Sequence, residues 1–271
     1  MPQTRRGLSS PFVGNIYLEL TEQFNAGRLR AIISSGQAVV LHRLAIMSKD
    51  GDWILWEDVE TMSHILDVLA KSGAHYRFGA PLDVRWMAGG WSAHFEFRTG
   101  SLRIRTDFVT RPPRLDDASL AELWKLDPKK PVLGLTALAE IKKTNREKDY
   151  AVIGELARLM KSPREQLLYS RSARDLLALT QAHPELASEL SDQRPLLRET
   201  VAGQARLEEA LDAERRTLIH ANEQRLARYR EASKAWATAW SGVEKEIGNL
   251  SLAAAHEIVV ARALALLPFA P

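Results

Sequence analysis

The chain predicts an α+β protein: a mixed-sheet domain over residues 1–160, then an α-helical domain over residues 161–271 that contains a long helix. Three observations predict this. Apolar, alternating runs joined by short glycine-containing links occupy the first part. Beyond about Met160 no strand pattern recurs. From Leu196 to Ile247 there is no proline, and apolar residues return at helical intervals.

The elements follow in order. Leu29 to Ile33 is an apolar run that predicts a strand, Ser35-Gly36 a small-residue turn, and Ala38 to Leu44 a helix. Asp50 and Asp52 open the next strand, and the period of two puts both carboxylates on one face while Trp53 and Leu55 point into a core. Val59, Met62, Ile65, Leu66 and Leu69 lie at helical spacing within Trp56 to Ala70, with a stop at Lys71-Ser72-Gly73. Three further strands are predicted at Leu82–Met87, Trp91–Phe97 and Leu102–Val109, with hairpin links at Ala88-Gly89-Gly90 and Thr99-Gly100-Ser101. Arg111-Pro112-Pro113-Arg114 ends the last of them.

In the second part, Leu207, Leu211, Leu218, Leu226, Tyr229, Trp236, Trp240, Val243 and Ile247 predict one long helix or two stacked ones, with Gly203, Gly242 and Gly248 as break points. A final helix over Ser251–Leu267 is apolar enough to be largely packed.

Composition bounds the function classes. The 45% apolar and 26% charged fractions are those of a globular protein. A net charge of +3 does not announce a nucleic-acid partner. The absence of cysteine excludes disulfides and thiolate metal sites, and agrees with a reducing compartment. Met1 to Ser10 carries two arginines with no apolar stretch after them, so no secretory signal is read. The apolar stretch Ile258–Phe269 is interrupted by Arg262 and Pro268 and is too short to span a bilayer. The expectation is a cytoplasmic protein with no membrane partner.

The chemistry is concentrated early in the chain. A small-residue turn before a helix offers backbone amides to phosphate oxygens, helped by the positive helix end. Asp50 and Asp52 on one strand face, joined by Asp107 from Leu102–Val109, suit the oxygen-ligand preference of magnesium. Asp107 shares its face with Arg103 and Arg105. Lys49-Asp50-Gly51-Asp52 is also a turn signal in its own right, so order and spacing carry the argument. There is no Walker loop, no His-Glu-x-x-His and no Gly-x-Ser-x-Gly elbow. His42 reads as a satisfied, partly buried residue; Trp86, Trp91, Trp236 and Trp240 read as packing residues.

These residues resemble the nucleotidyltransferase-fold superfamily, the DNA polymerase β-like group, and in particular its minimal bacterial members related to AbiEii-type toxins. Ser35-Gly36 matches the family turn, Leu41-His42 the helix end, Ser48 the threonine position, Asp50 and Asp52 the metal pair, and Asp107 the third carboxylate. A second block, Leu138 to Tyr150, looks like the helix that follows the sheet in these proteins, with Lys142, Arg146 and the Lys148-Asp149 pair at the recurring spacing. Ser35 stands where glycine is usual, Arg43 where glycine follows the histidine, and Ile46 where the family has arginine.

The resemblance implies a metal-dependent nucleotidyltransferase that moves an NMP from an NTP to a hydroxyl acceptor: tRNA or another RNA, a protein or a small molecule. It implies Asp50, Asp52 and Asp107 as catalytic and metal-binding residues, with magnesium or manganese as cofactor. It also implies Ser35, Gly36, Ser48, Lys142, Arg146 and Lys148 as nucleotide-binding residues. A toxin or defence role follows by family analogy, and a homodimer through the helical domain is expected from the long helix. Two alternatives stand beside this reading. One is a catalytically inactive binding or regulatory module with the same fold. The other is a ribonuclease built on Arg215 and His220, whose Arg-x4-His spacing resembles the HEPN ribonucleases.

Overall fold

The computed structural model describes residues 15–271, so the Met1–Ser10 segment and its two arginines lie outside the described residues. The first part contains α1 (Ile16–Phe24), β1 (Ala31–Ile33), α2 (Ser35–Leu41), β2 (Asp50–Leu55), α3 (Val59–Lys71), β3 (His75–Tyr76), α4 (Val84–Met87), β4 (Ala93–Thr99) and β5 (Leu102–Val109). The strands form one mixed sheet in the order β1-β2-β5-β4-β3, in which only the β2–β5 pairing is parallel. This is the α+β mixed sheet expected from the alternation of the sequence.

Helices complete the chain: α5 (Asp117–Leu123), α6 (Leu135–Ile141), α7 (Glu147–Leu159), α8 (Pro163–Tyr169), α9 (Ala173–Ala182), α10 (Pro184–Leu190), a 3-10 helix (Pro195–Ala202), α11 (Gln204–Ala232), α12 (Lys234–Ile247) and α13 (Leu252–Leu266). At 29 residues, α11 is the long helix expected from the proline-free stretch. No helix among the described residues is long and apolar enough to cross a membrane.

Three expectations are corrected. Leu82–Met87 is not a strand: Asp83 caps a single helical turn by accepting the Arg85 N–H at 2.9 Å, and Trp86 and Met87 are buried. An apolar run buried on all sides looks the same in sequence whether extended or helical. The sheet edge is instead β3, only two residues long. Leu138–Tyr150 is not one helix either. It is broken at Lys142–Arg146, where Thr144 Oγ1 accepts the Arg146 N–H and donates to Asp149 at 2.6 Å, a side-chain alternative to helix continuation. Finally, breaks fall at Gly203 and Gly248 as expected, but the one between them is at Ser233, and Gly242 stays inside α12.

The sheet's rear face is an aromatic cluster. Trp53 stacks on Phe108 with centroids 5.4 Å apart, and Phe24 meets both edge-on at 5.3 and 5.7 Å. The Trp53 indole N–H donates to Thr21 Oγ1 at 2.9 Å, so the ring is buried without an orphaned donor.

The last helices return to the sheet. The larger buried cluster unites the strands with Trp236, Trp240, Val243, Val259 and Ala263 of α12 and α13, whereas Leu167, Leu176, Leu190, Leu197 and Leu207 form a smaller separate one. Trp236 donates to the Gly79 carbonyl at 2.8 Å, and Trp86 and Trp91 donate to the carbonyls of Leu267 and Pro268, each at 3.0 Å. The four tryptophans are therefore packing residues, as expected.

A Cβ on Gly89 would overlap the backbone carbonyl of Phe269, whereas one on Gly134 meets nothing. Gly89→Ala is expected to cost about 2 kcal/mol or more in urea unfolding, an overpacking penalty. Gly134→Ala should leave the midpoint nearly unchanged. Equal midpoints for the two variants would show that the C-terminal segment does not close on the sheet as described.

Candidate active site

The parallel β2–β5 register places Asp52 beside Asp107, and the antiparallel β4–β5 register places His94 on the other side of Asp107. One step along, Asp50, Arg105, Glu96 and His75 form a second row. Both rows lie on the face opposite Trp53 and Phe108, because neighbouring residues on a strand alternate sides. The sequence-predicted carboxylates Asp50, Asp52 and Asp107 are thus brought together.

The turn before α2 closes one end of this site. The Gly36 backbone amide lies near the Asp52 carboxylate and favours its charged form. A Cβ on Gly36 would collide with Ser48 Oγ, so the close approach of turn and strand requires glycine here. Gln37, which sequence reading passed over, ties the two together by donating to the carbonyls of Ser48 and Asp50 at 3.2 and 3.3 Å.

Ser35 has φ +46° and Arg43 has φ +63°. These are two of the three non-glycine residues with positive φ among the described residues, and both stand where the resembling family carries glycine. The backbone makes left-handed turns at both positions without glycine. Ile46 is 99% exposed and carries no charge that could act on the carboxylates.

Of the predicted basic residues, only Lys142 is buried at the site. Its charge acts on Asp52, and its Nζ lies 3.4 Å from Asp149 Oδ1. Arg146 Nε binds Asp149 at 2.9 Å, and Lys148 is exposed at the start of α7. Ser48 Oγ donates to the Asp50 carbonyl at 3.2 Å.

Arg215 and His220 are not brought together. Arg215 pairs with Asp212 and His220 with Gln224, and a separation of five residues turns them to different sides of α11. His42 Nε2 lies 2.8 Å from the Leu133 carbonyl, the satisfied, half-buried role expected of it.

Several site residues were missed by sequence reading. His94 Nδ1 lies 2.7 Å from Asp107 Oδ1 and its Nε2 lies 2.8 Å from Ser92 Oγ; Arg77 Nη1 reaches the same Asp107 oxygen at 3.4 Å. Tyr17 donates to the Lys49 carbonyl at 2.8 Å beneath the aspartates. The hairpin carried a signal for His94: Thr99 opposite Leu102 sets every pair down the ladder to His94 opposite Asp107.

Electrostatically the site is overloaded with negative charge. Burial, followed by the neighbouring Asp107, pushes the Asp52 carboxyl up to about 7, against the opposing pull of Lys142. Burial and the three aspartates also raise the Tyr17 phenol. Asp50 Oδ1 is a buried atom without a hydrogen-bond partner, with Arg105 Nη1 3.8 Å away. Among the described residues no three acidic or histidine side chains converge at metal-ligand spacing, since Asp107 is turned to His94 and Arg77. What the arrangement provides is an acidic, oxygen-rich cluster with the Gly36 amide at one end and a histidine at the other.

No family model and no curated protein matches the chain. Among solved structures, a protein from H. pylori assigned provisionally as a nucleotidyltransferase aligns over 80% of this chain and 98% of its own, at 12% identity and a TM-score of 0.40. A likeness so distant carries no argument about chemistry, which rests on the residues above.

Two outcomes follow from the site's backbone and charge. Replacing Ser35 by glycine should relieve left-handed strain and raise stability by roughly 0.5–1 kcal/mol in urea; a loss of stability would contradict the turn. The folded Asp52 keeps its proton up to about pH 7, while the unfolded chain releases it near 4. Stability therefore falls as pH rises through that window. In chelator, Asp52→Asn should be more stable than the parent at pH 8, by on the order of 1 kcal/mol, and match it near pH 4.

Proposed function

We propose that the protein is a metal-dependent nucleotidyltransferase that moves a nucleoside monophosphate from an NTP to a hydroxyl acceptor and releases pyrophosphate. The observation that carries this is the side-by-side register of Asp52 and Asp107, with Asp50 next to them and the Gly36 turn against Asp52. Like charges directly opposite on neighbouring strands destabilise a sheet. Their pairing in a half-buried site, with Asp52 pushed up to about 7, fits a cation-binding task.

The residues fit magnesium or manganese. The donors are hard carboxylate oxygens, and the buried Oδ1 of Asp50 accepts no hydrogen bond, with Arg105 Nη1 3.8 Å away, which leaves it free to ligate such an ion. Asp50 and Asp52 would hold the ion, and Asp107 would join them on exchanging its contacts with His94 and Arg77. When bound, the ion would offset triphosphate charge and stabilise the attacking and leaving oxygens.

The chain's own groups do the rest. Amides of Ser35 and Gly36, at the start of α2, receive phosphate oxygens, with Ser48 at the margin of the turn. Lys142 supplies buried positive charge beside Asp52, which offsets the lack of arginine at position 46. Arg146 and Lys148, at the start of α7, face the outer phosphates. Asp107 holds the acceptor hydroxyl and takes its proton as the acceptor oxygen bonds to the α-phosphorus and the bond to pyrophosphate breaks.

Incubation with each α-labelled NTP, the divalent ion and total RNA is the direct test. The Asp50→Ala, Asp52→Ala double variant should lose label transfer by a factor of about 10³ or more while melting as a folded protein. Transfer that survives this change refutes the assignment.

A further inference from the structure

Beyond His94, on the side away from the Gly36 turn, lies a cavity of about 310 Å³ between the β4–β5 end of the sheet and α11. Phe78, His94, Arg111, Arg225, Tyr229 and Arg230 are among its walls. The geometry points to this cavity as the seat of the acceptor, and to an acceptor that is a nucleotide: a flat base with an anionic phosphate, presenting its hydroxyl toward His94 and Asp107. The inference rests on the transferase reading, because the acceptor must enter from the face of Asp107 that the triphosphate does not occupy.

The chemistry of the walls selects this ligand class. Phe78 is a 47% exposed aromatic ring at the lining, which it shares with His94, the partner of Asp107. Base–aromatic stacking tolerates any base. Arg225 and Arg230 have no ion-pair partner among the described residues, in contrast to Arg111, which is held by Glu57 and Asp117. The Arg225 guanidinium lies over the Tyr229 ring at 5.3 Å, and its buried Nε has no hydrogen-bond acceptor. Two guanidiniums without ion pairs on one cavity wall are suited to phosphate recognition. A polycationic acceptor such as an aminoglycoside meets only repulsion from these two arginines.

His94 connects the cavity to the aspartates. Its Nδ1 is on Asp107 and its Nε2 is on Ser92 at the cavity wall. A Cβ on Gly79 would strike the His94 ring, so the small residue beside Phe78 leaves room for that ring.

The test is binding, measured without NTP by fluorescence anisotropy of a labelled short single-stranded RNA with a free 3′ hydroxyl, with AMP and an aminoglycoside as competitors. The full-length protein should bind the RNA, and Phe78→Ala and Arg225→Gln should each weaken it by about tenfold. The exposed Arg230→Glu should do likewise with an unchanged melting curve, which separates lost recognition from misfolding. Competition by AMP as strong as by unlabelled RNA identifies a free nucleotide as the acceptor, whereas weak competition identifies a strand end. Unchanged binding in the three variants, or preference for the aminoglycoside, overturns the assignment. Magnesium-dependent NTP binding, measured in parallel, should survive Phe78→Ala and Arg230→Glu and be lost in Asp50→Ala, Asp52→Ala. If the RNA binds through Phe78 and Arg225 while NTP binding is absent, the transferase reading fails and the nucleotide cavity stands. If NTP binds normally and the cavity variants bind RNA like the parent, the cavity assignment fails alone.

Discussion

The stacking of Trp53 on Phe108 behind the sheet is the interaction on which the remainder depends. A slip of one residue between β2 and β5 would turn the aromatic pair toward solvent, so the register is held by burial of large apolar surface. The same register, read on the other face, sets Asp52 against Asp107. Packing energy on one side of the sheet thereby enforces an electrostatically unfavourable pairing on the other. Phe24 and Tyr17 extend this coupling into α1, since Tyr17 touches both the Trp53 ring and the Lys49 carbonyl at the start of the acidic strand.

The two rows across the front face differ in kind. Asp50, Arg105, Glu96 and His75 alternate acid and base from strand to strand, and Arg103 and Arg77 also lie against Glu96, so this row is close to neutral. Asp52, Asp107 and His94 place two acids together, with Lys142 and Arg77 approaching from outside the sheet. Ordinary solvated faces look like the first row. The second concentrates negative charge at one register step, beside a turn whose backbone at Ser35 is itself strained. Charge and strain thus coincide within a few residues.

Much of this was legible in the sequence, for identifiable reasons. Asp50, Asp52 and Asp107 sit on strands with clear alternation, so their common face could be read directly. His94 could have been found the same way, from the hairpin turn at Gly100, but an outward histidine on a half-exposed strand draws no notice alone. The β3 edge, His75–Tyr76, is too short to have a period, and Trp86-Met87 imitates a strand because it is buried all round. Lys142 lies 90 residues from Asp52 in sequence, and only the break between α6 and α7 delivers it there. The return of α12 and α13 to the sheet was equally hidden: their apolar spacing shows that they pack, not against what.

The closure of the sheet by Trp86 and Trp91 on the carbonyls of Leu267 and Pro268 has a consequence for biosynthesis. Those carbonyls leave the ribosome roughly 10–30 s after β5 at ordinary elongation rates. Throughout that interval the finished strands display the tryptophans and the apolar surface that the late helices cover. A nascent chain in this condition is a natural client for chaperones. A product stalled before Leu267 keeps that surface exposed, because the two indole donors have no carbonyls to meet.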